Sequence, residues 1–220
     1  MPKFLFQIKL GVTVMEKSLN LKLNGKDYLI YGTVRGMLSE EKDIEKIFIE
    51  FKPDLIMVGI SKEDLEGLFE FIKNPFMVDI SDYEIIWGLN LQRFGKVKLP
   101  VPSYLKAVEM SLKENVRIVA IDLDEKEYSE LYTNKISTFM LIRHSLRKKK
   151  LYRKRFSAKT PEEFSLQWDN EINRISGFRE IEDEREAHMA RMISGNREGE
   201  RVFVVVDYER MEGILKRIVY

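Results

Sequence analysis

The segment Tyr28–Leu68, YLIYGTVRGMLSEEKDIEKIFIEFKPDLIMVGISKEDLEGL, decides how the rest of the chain is read. It opens on an apolar run, Leu29 to Tyr31, that ends at Gly32-Thr33. After a loop, Ser39 is placed to cap a helix, with Glu40 and Glu41 in the first turn where the helix dipole favours acids. Ile44, Ile47, Phe48 and Phe51 recur at i, i+3, i+4 and i+7, which predicts one buried helix face. Pro53 stops that helix. Leu55–Ile60 is then short and wholly apolar, the composition of a strand covered on both faces in a parallel sheet. Ser61 caps the next helix, with Asp64 three residues on and Leu65, Leu68, Phe69 and Ile72 as its buried stripe. The pattern is β-α-β-α. In open sheets of this kind ligands bind beyond the carboxyl ends of the strands. Those ends are Gly32-Thr33-Val34-Arg35 and Gly59-Ile60-Ser61.

Around this unit, 220 residues suffice for a substantial core, and no repeat, low-complexity block or Gly/Ser-rich linker divides them. The expectation is a single domain over residues 1–220. The 37 basic and 36 acidic residues leave a formal net charge of +1, so overall charge selects neither nucleic acid nor an acidic scaffold role. Cysteine is absent, which removes disulfides, thiolate zinc sites and cysteine nucleophiles together. The opening MPKFLFQIKL is interrupted by Lys3 and Lys9 and lacks a signal-peptide core, and no apolar run approaches a membrane span. A cytoplasmic protein without a membrane partner is expected. Charged residues make up 33% of the chain, rich in Lys and Glu, a composition that suits a thermophile.

Phe4–Val14 alternates in part and predicts a strand. Leu19–Leu23 and Tyr28–Tyr31 flank Asn24-Gly25-Lys26-Asp27, a strong hairpin signal. Beyond the central unit, Ser81 is placed to cap a helix through Ile86 and Trp87. Ser103 is placed to cap another, with Leu105, Val108 and Leu112 inward. Val116–Leu123 is a further buried strand ending on Asp122 and Asp124. A helix through Tyr128, Leu131, Phe139, Ile142 and Leu146 follows, ending in a basic tract. Thr160-Pro161-Glu162-Glu163 starts a new helical region that Gly177 bends or divides and Gly195 ends. Arg201–Asp207 is the last buried strand, and Met211–Val219 the closing helix.

These residues carry a resemblance. Gly32-Thr33-Val34-Arg35, Pro53-Asp54 and Val58-Gly59-Ile60-Ser61 resemble the opening of the TraB/PrgY-like family, related to the ChaN and erythromycin-esterase-like hydrolases. Members typically show a strand ending G-T-x-H, a helix, then "PD" and a strand ending V-E-L-D. Ile121-Asp122-Leu123-Asp124 is similar to the family's I-D-R-D. Glu184-Arg185-Glu186-Ala187-His188-Met189 and Val206–Gly213 resemble its late E-R-D-x-x-M and V-G-x-x-H-x-x-G motifs. The resemblance implies a metal-hydrolase ancestry whose metal positions are the first histidine, the glutamate and the late histidine. Here those positions read Arg35, Gly59 and Arg210, so neither a metal nor another cofactor is expected.

Both presumed histidines have become arginine, and Arg185 stands where the family keeps one. Arginine presents a planar fork of donors suited to carboxylate or phosphate. One expectation is an anion pocket of Arg35, Arg185 and Arg210 with Gly32 and Thr33. The other is that the arginines pair with Asp122, Asp124, Glu184 or Asp207 and only fill the vacated site. An active hydrolase on a rearranged acid/base set of Asp122, Asp124 and His188 is the alternative function, although Asp124 with Glu127 also reads as a helix cap. Eight of the thirteen residues from Arg143 to Arg155 are Arg or Lys. Arg147, Lys148, Lys149, Lys150 and Arg153 there are candidates for phosphate or partner contact, which makes a nucleic-acid or assembly module working through Arg143–Arg155 a further alternative function, or they form a solvated helix face.

The sequence therefore predicts an α/β fold: a mostly parallel central sheet from 29–34, 54–60, 116–123 and 201–207. Helices are expected on both faces, with an N-terminal β-hairpin and a helical insertion at about 124–196. The expected role is that of a catalytically degenerate TraB-like pseudoenzyme. It would bind a small anionic molecule or a protein partner, which includes a second copy in a homo-oligomer; nucleic acid is not expected.

Overall fold

The structure, a computed structural model, describes residues 16–219. The strand predicted at Phe4–Val14 lies outside them. The hairpin forms as expected: β1 (Ser18–Leu23) pairs antiparallel with β2 (Lys26–Thr33) across a two-residue turn. Asn24 and Gly25 both take positive φ there, 53° and 82°, which these two residue types tolerate best. From β2 the chain runs through α1 (Glu40–Phe51) to β3 (Leu55–Val58), then α2 (Lys62–Lys73), α3 (Asp82–Leu91) and α4 (Pro102–Glu114) to β4 (Arg117–Ala120). Four helices follow: α5 (Glu125–Lys135), α6 (Thr138–Arg153), α7 (Pro161–Ile172) and α8 (Ser176–Ser194). The chain closes with β5 (Arg201–Asp207) and α9 (Tyr208–Val219).

The sheet order is β1-β2-β5-β3-β4, with every pair parallel except the hairpin. The last strand thus enters the middle of the sheet. Its sequence, RVFVVVD, shows why: apart from Arg201 every residue is buried. Alternation then sends side chains to two layers. Phe203 and Val205 join Leu29, Tyr31, Ile56 and Val58 under α1, α2 and α4. Val202, Val204 and Val206 join Tyr28, Ile30, Leu55 and Met57 under α8 and α9. A third cluster, aromatic and built from Trp87, Phe156, Phe164 and Trp168 with Val34 and Tyr208, closes the carboxyl end of β2.

Several local expectations are corrected. α4 starts on Pro102, whose fixed φ suits the first helical position, so Ser103 lies inside the first turn rather than capping it. Its buried face runs through Tyr104, Ala107, Val108 and Ser111, which leaves Leu112 54% exposed. The helix predicted from Asp124 through Leu146 is two helices, because Ser137 accepts from the Met140 amide and caps a fresh start. The later division falls at Asn173–Ile175, and Gly177 lies within the first turn of α8. A Cβ on Gly177 would approach the Lys135 carbonyl oxygen to 2.6 Å, so glycine lets α8 press on the end of α5. Alanine is the better helix former by about 1 kcal/mol. Gly177→Ala is nonetheless expected to lower stability by about 1–3 kcal/mol in urea unfolding, because a backbone oxygen cannot swing aside. A stabilised variant would contradict this packing.

Candidate functional site: a buried arginine–carboxylate cluster

The three arginines singled out by the sequence converge at the carboxyl edge of the sheet. Asp207 ends β5 and is 3% exposed. Arg210, one turn into α9, places Nη1 3.1 Å from Asp207 Oδ2, while Nε and Nη2 lie 2.8 and 2.7 Å from Glu182 Oε2 on α8. Arg185, one turn beyond Glu182, donates Nη1 to Glu182 Oε1 at 3.0 Å and grips both oxygens of Asp122 through Nε and Nη2. Asp122 is brought there because its amide continues the parallel ladder, donating to the Ile60 carbonyl at 3.2 Å just past β3. Tyr104 on α4 donates its hydroxyl to Asp207 Oδ1 at 2.8 Å.

Arg35 stands at the outer end of this network. Its Nε lies 3.7 Å from Asp207 Oδ2 and 3.9 Å from Glu209 Oε1, so Arg35 and Arg210 face the same Asp207 oxygen. That Nε is buried, yet it has no hydrogen-bond partner among the described residues. The Arg35 side chain as a whole is 40% exposed. Trp87 fixes it from below: the indole Nε1 donates to the Arg35 carbonyl at 2.9 Å, and the guanidinium carbon lies 5.5 Å from a ring centroid. Glu209 is held by the Ser165 hydroxyl. Asp207 and Glu209 meet the start of α9, where the helix dipole favours negative charge.

The electrostatics follow from burial and pairing. Burial pushes the Glu182 carboxyl up, but Arg210 and Arg185 outweigh it and bring the group to about 2. Burial also opposes the charge on Arg210, and Glu182, Asp207 and Asp122 raise its pKa despite that. Glu209 goes the other way. Burial and then the charge of Asp207 push it up to about 7, against Arg35 and Arg210. The cluster therefore sets three guanidinium groups against four carboxyl groups, of which Glu209 is pushed towards its neutral form by burial and by Asp207.

The remaining sequence candidates are placed as follows. Thr33 is fully buried and turns its hydroxyl to Glu40 at 3.1 Å, and Gly32 is covered by Tyr208 and Met211. Asp124 caps α5 in a reciprocal capping box with Glu127. His188 is half-buried on α8 with no hydrogen bond to Asp122 or Asp124 among the described residues. No group of three or more His, Cys, Asp and Glu side chains among them is placed to hold a metal ion. At Gly59, a Cβ would meet a Val206 methyl at 3.0 Å and the Met189 sulfur at 3.3 Å. Among the described residues no helix is long and apolar enough to cross a membrane. In the basic tract Arg147 and Lys154 hold Glu171, and Lys148 pairs with Asp82. Lys149, Lys150 and Arg153 make no ion pair among the described residues.

Sequence reasoning missed Glu182, Glu209, Tyr104 and Ser165. Glu182 precedes Arg185 at i−3, a spacing that puts the two on one helix face. Tyr104 and Ser165 carry no comparable signal. Neither the protein-family models nor the curated proteins contain a match to this chain.

Two expectations follow for stability. Asp122→Ala leaves Arg185 without its bidentate partner and should cost about 3 kcal/mol or more, whereas Asp124→Ala removes only a cap and should cost about 1 kcal/mol. Equal losses in urea unfolding would refute this division of roles. Secondly, Glu209 and Glu186, the latter also raised to about 7 by burial, bind protons in the folded state that the unfolded chain releases near 4.5. Stability should therefore fall as pH rises from about 4.5 to 7, by up to about 3 kcal/mol per group. His144, lowered by burial, opposes this with a single half-buried group. Melting temperature between pH 5 and 8 measures the slope, and Glu186→Gln should flatten it.

Proposed function

We propose that this chain is a binding protein for a small anion, a carboxylate or a phosphate ester, received at Arg35 beyond the carboxyl ends of β2 and β5. One observation carries the reading: Arg35 is half open to solvent, backed by Arg210, and its buried Nε lacks a hydrogen-bond acceptor among the described residues. Arg185 and Arg210 spend their donors on Asp122, Glu182 and Asp207, so their part is to fix the floor of the site. Asp207 and Glu209 approach Arg35 only at its buried Nε, at 3.7 and 3.9 Å, beyond good hydrogen-bond length, and a carboxylate or phosphate can meet the solvent-exposed part of the guanidinium.

The TraB-like resemblance fits this proposal. Arginines stand in place of both family histidines, and the glycine in place of the glutamate has valine and methionine packed where a side chain would go. On this reading the chain is a catalytically degenerate relative. The alternative, hydrolysis by Asp122, Asp124 and His188, draws less support because Asp122 is committed to Arg185 and Asp124 to its cap. A hydrolase screen with added manganese or zinc tests it, and stoichiometric bound metal would favour it.

The anion reading is tested by thermal shift with inorganic phosphate, a nucleoside monophosphate and succinate, against chloride at equal ionic strength. A ligand at a hundred times its dissociation constant should stabilise by about 2.7 kcal/mol. As pH falls through about 7, Glu209 takes a proton and stops competing for Arg35, so the shift should be larger at pH 6 than at pH 8. Absence of any shift, or an equal shift in Arg35→Ala, would overturn the proposal.

A further inference from the structure

An anion on Arg35 would join a cluster that is already short of positive charge. Arg35, Arg185 and Arg210 face Asp122, Glu182, Asp207 and Glu209, three cations against four acids. Two of those acids, Asp207 and Glu209, flank the first residue of α9 and turn oxygens to one atom, Arg35 Nε, at 3.7 and 3.9 Å. Their side chains are 3% and 5% exposed, so water screens neither well. Like charges held this close in a poorly solvated place do not all stay ionised. A ligand anion on the open part of the guanidinium adds a further negative group to the same neighbourhood.

Geometry decides which acid gives up its charge. The start of α9 favours a negative group at either position, so the difference lies in the direct partners. Asp207 receives Arg210 Nη1 on Oδ2 at 3.1 Å and the Tyr104 hydroxyl on Oδ1 at 2.8 Å. Neutralising it would strip a buried guanidinium of a contact. Glu209 has one short contact, the neutral Ser165 hydroxyl on Oε2, which survives a proton on Oε1, the oxygen that faces Arg35. The groups that face Glu209 are Arg35 from the segment after β2, Asp207 from β5, Arg210 on its own helix and Ser165 from α7. Burial and Asp207 outweigh the two arginines and push the Glu209 carboxyl up to about 7, where one more nearby anion changes its charge near neutral pH.

Resting on the reading of Arg35 as the anion site, we infer that the site takes its anion together with one proton, which Glu209 receives. Anion and proton then strengthen each other's binding by the same factor, as linkage requires. The site responds jointly to anion and acidity, filling in acid and emptying in base. Because the protein supplies the place for the proton, the ligand class includes anions that stay fully ionised at neutral pH.

The test uses the full chain and inorganic sulfate, which remains a dianion between pH 6 and 8, so that any proton taken up goes to the protein. Isothermal titration calorimetry in two amine buffers of different ionisation enthalpy counts those protons. The expected result is uptake of about half a proton or more per sulfate at pH 8 and clearly less at pH 6, with affinity about fivefold weaker at pH 8. Glu209→Gln should abolish the uptake and bind sulfate alike at both pH values. Glu186→Gln removes the other carboxyl raised to about 7 and should leave the uptake unchanged. Melting temperatures check that both variants fold, and the wild-type comparison of the two pH values stands without them. Sulfate binding with no uptake at pH 8, uptake that persists in Glu209→Gln, or uptake lost in Glu186→Gln would overturn the inference and leave the anion reading standing. Binding of inorganic phosphate but not sulfate would also overturn it, since the proton would then travel on the ligand. Binding of neither would end both.

Discussion

The carboxylate of Asp207 is the point on which the structure turns. A charge with 3% exposure at the end of the central strand is costly unless it is met by donors, and three different parts of the chain meet it. Tyr104 comes from α4, Arg210 from α9 and Arg35 from the segment after β2. The strand passes into α9 with no intervening loop, so the direction of that helix is tied to the same atom group. Ion clusters of this kind add little net stability, since desolvation offsets much of the attraction. What they do impose is placement: a helix that slid by one turn would leave an unpaired buried charge behind.

The same accounting decides which arginine is available for recognition. Arg185 and Arg210 have carboxylates at contact distance on more than one side, and a ligand anion would have to displace them from a dry interior. Arg35 is less restricted: its two carboxylate neighbours stand off at 3.7 and 3.9 Å, and its side chain is 40% exposed. It is held by its backbone and by stacking on Trp87, contacts that fix its position without using its outward donors. A site in which two cations are structural and a third is open differs from the three-arginine pocket that the sequence suggested. The difference comes from Glu182, which holds Arg185 on its own helix and Arg210 on α9, and from Glu209, which faces Arg35 and Ser165 on other parts of the chain.

How much the chain disclosed follows from where each signal resides. The β-α-β-α unit was legible because period and most caps are local: Ile44, Phe48, Leu65 and Leu68 are buried as their spacing requires, and Ser61 and Asp124 cap as read, whereas Ser39 precedes α1 in helical backbone without a side-chain cap hydrogen bond. The central position of β5 was not, because strand order is a long-range property that RVFVVVD does not encode by itself. The inward reading of Leu112 failed because Ser111 turns inward to bond the Val116 carbonyl, which rotates the buried face of α4. In the site, Arg35, Arg185, Arg210 and Asp122 could be named from motifs. Tyr104 and Ser165 could not, since each becomes a ligand of the cluster only when α4 or α7 packs against the sheet end.

The formal charge of +1 conceals two populations of cation with opposite consequences. In the arginine cluster, and where Arg147 and Lys154 hold Glu171, cations are matched inside the molecule and present little field to the outside. On the outer side of α6, Lys149, Lys150 and Arg153 make no ion pair among the described residues and lie beside exposed phenylalanine, isoleucine and leucine. Pairing therefore separates the charges that shape this protein from those left facing outward, and net charge, being their sum, registers neither.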